Sequence, residues 1–185
     1  MRITGGTLVR RPIDAPKGDR TRPTTDRVRE ALFSALGSRM DLGGARVLDL
    51  FAGSGALGLE AVSRGAAHAT LVERHGPTLA VARRNARQLG VAGRVATVRA
   101  DALAYLDGDD SSAAPTRFDL ILADPPYDLP AIPTLPTRAR PRLVTDGLFV
   151  LEHDARRAFD AAPGLVFTRA YGRTVVSVFD SSPPT

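Results

Sequence analysis

The chain has 185 residues, enough for one well-buried domain but too few for two comfortably stable ones. No uncharged apolar run approaches the roughly 18 residues of a membrane span, and Met1-Arg2-Ile3-Thr4-Gly5-Gly6 is no secretory leader, so a soluble cytoplasmic protein is expected. Cysteine is absent, which excludes disulfides, thiolate ligands and cysteine catalysis, and His68, His75 and His153 have no metal-ligand spacing, so no metal is expected.

The formal net charge is +5, with Arg supplying nearly all the positive charge, and residues 1–30 carry seven Arg and one Lys against four acids. That basic segment is the first candidate for touching phosphates. Residues 1–23, with Gly5-Gly6, three prolines and the alternating Thr7-Leu8-Val9, read as a basic hairpin or arm outside the core, followed by one domain over 24–185. From Thr24 the pattern becomes helical, with Val28, Ala31, Leu32, Ala35 and Leu36 at three- and four-residue spacing, Thr24 or Thr25 as cap and Gly37 as stop.

Beyond this helix, apolar strands at 46–51, 69–73, 94–99, 118–123 and 147–152 alternate with helices at 56–64, 77–89 and 101–107. Such alternation predicts an α/β fold, a parallel sheet with helices on both faces. Leu165–Ala170 and Thr174–Phe179 are joined by only Tyr171-Gly172-Arg173 and predict an antiparallel hairpin at the sheet edge. Residues 108–116 (GDDSSAAPT) read as a mobile loop. Pro130, Pro133, Pro136 and Pro141 fall where the next crossover helix belongs, so that helix should be short, broken or replaced.

The first strand runs into Asp49-Leu50-Phe51-Ala52-Gly53-Ser54-Gly55-Ala56-Leu57-Gly58, a GxGxxG turn between strand and helix, which is also the dinucleotide fingerprint. A pyrophosphate would be repelled by Asp49, four residues before Gly53, whereas S-adenosylmethionine has no phosphate and carries a sulfonium and an ammonium. Glu73, after the second strand, can accept from two ribose hydroxyls. Asp101, after the third, can accept from an adenine amino group while the Ala102 amide donates to the ring. Acids at three successive strand ends favour S-adenosylmethionine, with S-adenosylhomocysteine as product.

The fourth strand delivers Asp124-Pro125-Pro126-Tyr127 to its carboxyl end, where open α/β sheets bind ligands. An aryl amine is a poor nucleophile because its lone pair is delocalised, so an enzyme must hold both N–H bonds and aim that pair at the methyl group. The Asp124 carboxylate and Pro125 carbonyl are two such acceptors, the prolines add none of their own N–H groups, and Tyr127 offers a stacking face worth roughly 1–3 kcal/mol to a flipped base.

With these motifs the chain resembles the amino-methyltransferases with an (Asp/Asn)-Pro-Pro-(Tyr/Phe) motif, and within them the bacterial 16S ribosomal RNA guanine-2-amino methyltransferases of the RsmD type. The resemblance rests on Arg22 to Phe33, Asp49 to Ala61, Asp124 to Tyr127 and Tyr171 to Thr174. It implies a seven-stranded Rossmann-like sheet with its last strand antiparallel and a small N-terminal β-hairpin extension. The implied cofactor site comprises Thr24, Thr25, Asp49, Phe51, Gly53, Ser54, Gly55, Glu73, Arg74, Asp101, Ala102 and Asp124. The implied catalytic loop is Asp124, Pro125, Pro126 and Tyr127, and Arg10, Arg11, Arg20 and Arg22 would hold RNA. The implied partner is ribosomal RNA, in an assembled or assembling small subunit, met by a monomeric enzyme with no membrane attachment. The stretch after Tyr127 departs from the family, which has a helix there. Three other readings stay open: a DNA adenine or cytosine amino-methyltransferase, a nicotinamide-dependent dehydrogenase, and a catalytically silent RNA-binding module.

Overall fold

The computed structural model describes residues 1–16, 26–108, 116–160 and 162–181. Seven strands, β1 (Arg46–Leu50), β2 (His68–Val72), β3 (Val95–Val98), β4 (Phe118–Ala123), β5 (Leu143–Asp154), β6 (Leu165–Tyr171) and β7 (Thr174–Asp180), form one sheet in the order β3-β2-β1-β4-β5-β7-β6. The first five are parallel, while β7 is antiparallel to both β5 and β6. The expected hairpin is therefore present, with β6 at the edge and β7 wedged against β5.

Helices α1 (Asp26–Gly37), α2 (Ala56–Ser63), α3 (Gly76–Gln88), α4 (Ala102–Asp107) and α5 (Leu135–Ala139) complete three layers. Alternation along the strands sorts the core: Val47, Leu120, Leu122 and Val150 face the side packed by α1, α2 and α3, while Leu48, Ile121, Ala123 and Phe149 face α4 and α5. The sheet order reverses between β1 and β4, so the crevice beyond their carboxyl ends is the topological switch point where such sheets bind ligands.

Three details refine the sequence reading. The proline-rich segment is a chain of short turns, 3₁₀ at Ile132–Thr134, α5, then 3₁₀ at Arg140–Arg142, each with a proline in its first turn. A proline is tolerated at a helix start and breaks a helix interior, so each one begins a new element. Strand β5 begins four residues earlier than expected. Asp146, at φ 62°, and Gly147 sit where its register with β4 shifts.

The described part of the basic arm, residues 1–16, is no free extension. It folds back through the antiparallel bridge Arg2↔Pro12 and a 3₁₀ turn at Gly6–Leu8. Ile3 and Ile13 are buried in the core beside α1 and α2, which corrects the expectation that this segment lies outside it. Isoleucines at these two places carry no periodicity that would reveal their burial. Most of the 108–116 loop, together with Thr24, Thr25, Arg20 and Arg22, lies outside the described residues.

Candidate active site

At the end of β1 the chain turns sharply. Phe51 adopts φ 56°, a left-handed conformation uncommon for a non-glycine residue and concentrated at functional turns. Gly58, in the first turns of α2, is where helix and strand touch: a Cβ there would lie 2.3 Å from Leu71 Cδ2 and 3.2 Å from Asp49 Oδ2. That contact lets the Gly58 amide donate to Asp49 Oδ2 at 2.9 Å. Asp49 is 1 % exposed. Burial, partly offset by the Gly58 amide and reinforced by the nearby Glu73 charge, pushes its carboxyl up to about 7. Asp49 is thus a partly protonated anchor beneath the turn, so the charge argument for a cationic cofactor rests as much on Glu73 and Asp101.

Glu73 follows β2 and closes the turn from the other side, accepting from the Gly53 amide at 3.2 Å and the His75 amide at 2.8 Å. Asp101 caps α4, its Oδ1 accepting from the Leu103 amide at 2.9 Å and the Ala104 amide at 3.3 Å. Both carboxylates have structural work, yet an ionised carboxylate offers about four lone-pair sites, so a hydroxyl or amino group can be served as well.

The loop after β4 is braced from several sides. The Pro126 carbonyl accepts from the Leu129 amide at 2.9 Å, and Arg157 Nη2 donates to the Tyr127 and Leu129 carbonyls at 3.2 and 3.4 Å. Tyr127 Oη donates to Glu152 Oε1 at 3.4 Å and shares a hydrogen bond with Thr174 Oγ1 at 3.1 Å. Burial, with the charges of Glu152 and Asp124, pushes the Tyr127 phenol up to about 12, so it stays a neutral aromatic.

These groups converge on one cleft of about 1440 Å³. A single small-molecule pocket occupies roughly 300–1,000 Å³, so this cleft has room for a cofactor and a base together. Asp49, Phe51, Gly53, Ser54, Glu73, Arg74, Asp101 and Ala102 border it, and so do Asp124, Pro125, Pro126 and Tyr127. Gly55, assigned to the cofactor, is absent from its walls: at φ 80°, a Cβ on it would lie 2.9 Å from Leu71 Cδ1 and 3.3 Å from Ala82 Cβ. Its position serves packing beneath the turn.

None of the three described arginines of the basic arm, Arg2, Arg10 and Arg11, borders the cleft. Arg10 is exposed at φ 70°, while Arg11 donates to the Leu89 and Gln88 carbonyls at 3.0 and 2.7 Å, capping the end of α3. The arm contributes Met1, Ala15 and Pro16 to the cleft wall instead. Sequence reasoning also missed the buried Asn85, whose Nδ2 donates to the Asp14 and Ser54 carbonyls at 3.0 and 2.9 Å, tying arm to glycine turn. A lone amide on the apolar face of α3 was the available signal. Glu152, Arg156 and Arg173 at the cleft carry no such local mark.

A doubly wound sheet with an antiparallel β7, a glycine turn after β1 and Asp-Pro-Pro-Tyr after β4 defines the Rossmann-like methyltransferase class. Within that class, the model of the family described as "Conserved hypothetical protein 95" matches residues 1–180, and the chain belongs to this family. YlbH of Bacillus subtilis strain 168, provisionally named an rRNA methyltransferase, is 38 % identical over 97 % of this chain and 98 % of its own. Ribosomal RNA small subunit methyltransferase D of Escherichia coli K12 is 40 % identical over 69 % of this chain and 60 % of its own. The solved structure of yhhF from Escherichia coli, provisionally named a methyltransferase, superimposes with a TM-score of 0.80 at 31 % identity, covering 97 % of each chain.

Proposed function

We propose that this protein transfers a methyl group from S-adenosylmethionine to the exocyclic 2-amino group of a guanine in small-subunit (16S) ribosomal RNA. The observation that carries the reading is the meeting, in one cleft at the switch point, of the glycine turn and Asp124-Pro125-Pro126-Tyr127. The RNA class follows from the relatives: YlbH and methyltransferase D are both named for ribosomal RNA, which weighs against the DNA alternative.

The residues present fit S-adenosylmethionine. Phe51, Gly53 and Ser54 form the wall nearest the turn, Glu73 and Asp101 give carboxylates for ribose and adenine, and neither is an arrangement a pyrophosphate favours. Once bound, that cofactor supplies an electrophilic methyl group on a sulfonium. Asp124 and the Pro125 carbonyl accept the two N–H bonds of the amino group and aim its lone pair. Asp124 then stabilises the positive nitrogen until its proton leaves. Tyr127 stacks on the extruded base, held at a fixed tilt through Glu152 and Thr174. Arg157 keeps the loop's downstream carbonyls engaged, so the loop is formed before substrate arrives.

Asp124→Ala is expected to lower methyl transfer by about 10²–10³-fold while S-adenosylmethionine binding, measured by calorimetry, changes little. Mass spectrometry of ribosomal RNA from a deletion strain should show the loss of one methylguanosine. An unchanged modification map, or tighter binding of NAD than of S-adenosylmethionine, defeats the reading.

A further inference from the structure

Beside the cleft lies a second hollow of about 430 Å³, bordered by Tyr127, Asp128, Asp154, Arg156 and Arg157. All of these but Arg157 border the cleft as well, so the hollow opens off it next to the ring that is to carry the flipped base. A small-molecule site occupies roughly 300–1,000 Å³, so the hollow has room for about one nucleotide.

Two of its four charges cancel. Arg156 donates to Asp154 from Nε at 2.7 Å and from its backbone amide at 2.9 Å, and holds that carboxyl below the usual range. The other two, the exposed Asp128 and the half-buried Arg157, form no ion pair with each other. Arg157 spends one nitrogen, Nη2, on the Tyr127 and Leu129 carbonyls at 3.2 and 3.4 Å. Its Nε and Nη1 find no acceptor among the described residues and are open to solvent. Bracing the loop therefore leaves Arg157 with three N–H donors and its charge for an anion.

A phosphate suits that guanidinium, but the Asp128 carboxylate in the same hollow opposes an anion unless the ligand also brings a hydroxyl for it to accept. A ribonucleotide brings both groups, and its 2′-hydroxyl is what separates RNA from DNA. A deoxynucleotide would meet the Asp128 charge with nothing to donate. We propose that the hollow is a subsite for the ribonucleotide next to the methylated one, with Arg157 binding its phosphate and Asp128 accepting its 2′-hydroxyl. The subsite rests on the ribosomal RNA reading above and adds to it a means of refusing DNA.

The test uses small subunits assembled on all-ribose RNA, or on RNA with a single 2′-deoxynucleotide immediately before or after the guanosine that mass spectrometry identifies as methylated. For wild-type enzyme, one of the two deoxy substitutions should lower kcat/KM about tenfold or more, as expected for the loss of a hydrogen bond to a charged group. Asp128→Ala should be slower on all-ribose RNA and indifferent to that same substitution. Arg157→Gln, whose amide can still donate to a loop carbonyl, should lower the slope of log affinity against log salt by about 1 with S-adenosylmethionine affinity retained. Wild-type enzyme indifferent to both deoxy substitutions overturns the subsite, and so does an Asp128→Ala enzyme that responds to them as wild type does. An unchanged salt slope in Arg157→Gln confines Arg157 to bracing the loop and overturns the phosphate contact. Wild-type enzyme that leaves even all-ribose RNA unmethylated overturns the ribosomal RNA reading itself, and the subsite with it.

Discussion

Asp49 links the cofactor turn to the stability of the fold through a single proton. Its ordinary value of 3.8 rises to about 7 in the folded chain. Between those pH values the folded protein holds a proton that the unfolded chain has released. The stabilisation is complete below about 3.8 and is lost as the pH rises through about 7. Asp49→Asn keeps an oxygen to accept from the Gly58 amide and removes the ionisation. The variant should therefore gain on wild type by about 2–3 kcal/mol between pH 5 and pH 8, a shift of several degrees in relative Tm. Paired thermal melts across that range check it, and a pH-independent difference would mean Asp49 is solvated in solution. Sequence alone marks Asp49 only as an acid near glycines; its burial depends on α2 lying over it at Gly58.

At the scale of elements, the arm, α1 and α2 meet at Glu60. This residue is 0 % exposed, as is Arg29, whose Nε lies 3.6 Å from Glu60 Oε2. Glu60 also accepts from the Thr4 amide, Thr4 Oγ1 and Arg64 Nε, each at 2.8 Å. Glu60→Ala would remove one of the two carboxylates beside the buried Arg29, which keeps Asp26 at 2.8 Å, and leave the Thr4 amide without its acceptor; it should cost about 3–5 kcal/mol in denaturant unfolding, with faster amide exchange in residues 2–8. A loss below about 1 kcal/mol would mean that water replaces the carboxylate. The sequence reading placed α2 correctly without seeing this hub, because Glu60 within Leu57 to Ser63 looks like one polar break in an apolar helix. Periodicity recovered the strands and the longer helices because their burial is set locally by period. It missed the start of β5, where Val144-Thr145-Asp146-Gly147 has turn chemistry and becomes strand only by pairing around a bulge with β4. The same limit applies to the site. Consecutive motifs such as Asp124 to Tyr127 were legible, whereas Glu152, Arg157 and Asn85 enter by folding from distant segments.

At the scale of the whole molecule, the described cations at the cleft come from outside the basic segment that the sequence distribution singles out. Most of the excess lies in residues 1–30, yet Arg11 caps α3 and Arg29 is locked beside Glu60. Among the described residues, the exposed cations at the cleft are Arg74, Arg156 and Arg173, from three separate loops. Arg156 is engaged with Asp154, which the guanidinium holds below the usual carboxylate range. Arg173, in the β6–β7 turn, is exposed and borders the cleft beside the Tyr127 anchor Thr174; under the proposed function it would meet a phosphate next to the target base. A phosphate contact releases counterions, each contributing roughly 0.7–0.9 to the slope of log affinity against log salt. Arg173→Ala should therefore weaken ribosomal RNA binding most at low salt and lower that slope by about 1, leaving S-adenosylmethionine affinity unchanged. Arg11→Ala should behave oppositely, loosening the arm and lowering Tm while the salt slope stays near wild type. Titrations of both variants at several salt concentrations separate the two roles. If Arg11→Ala takes the slope and Arg173→Ala does not, the RNA path runs along the arm and enters the cleft from the α3 side.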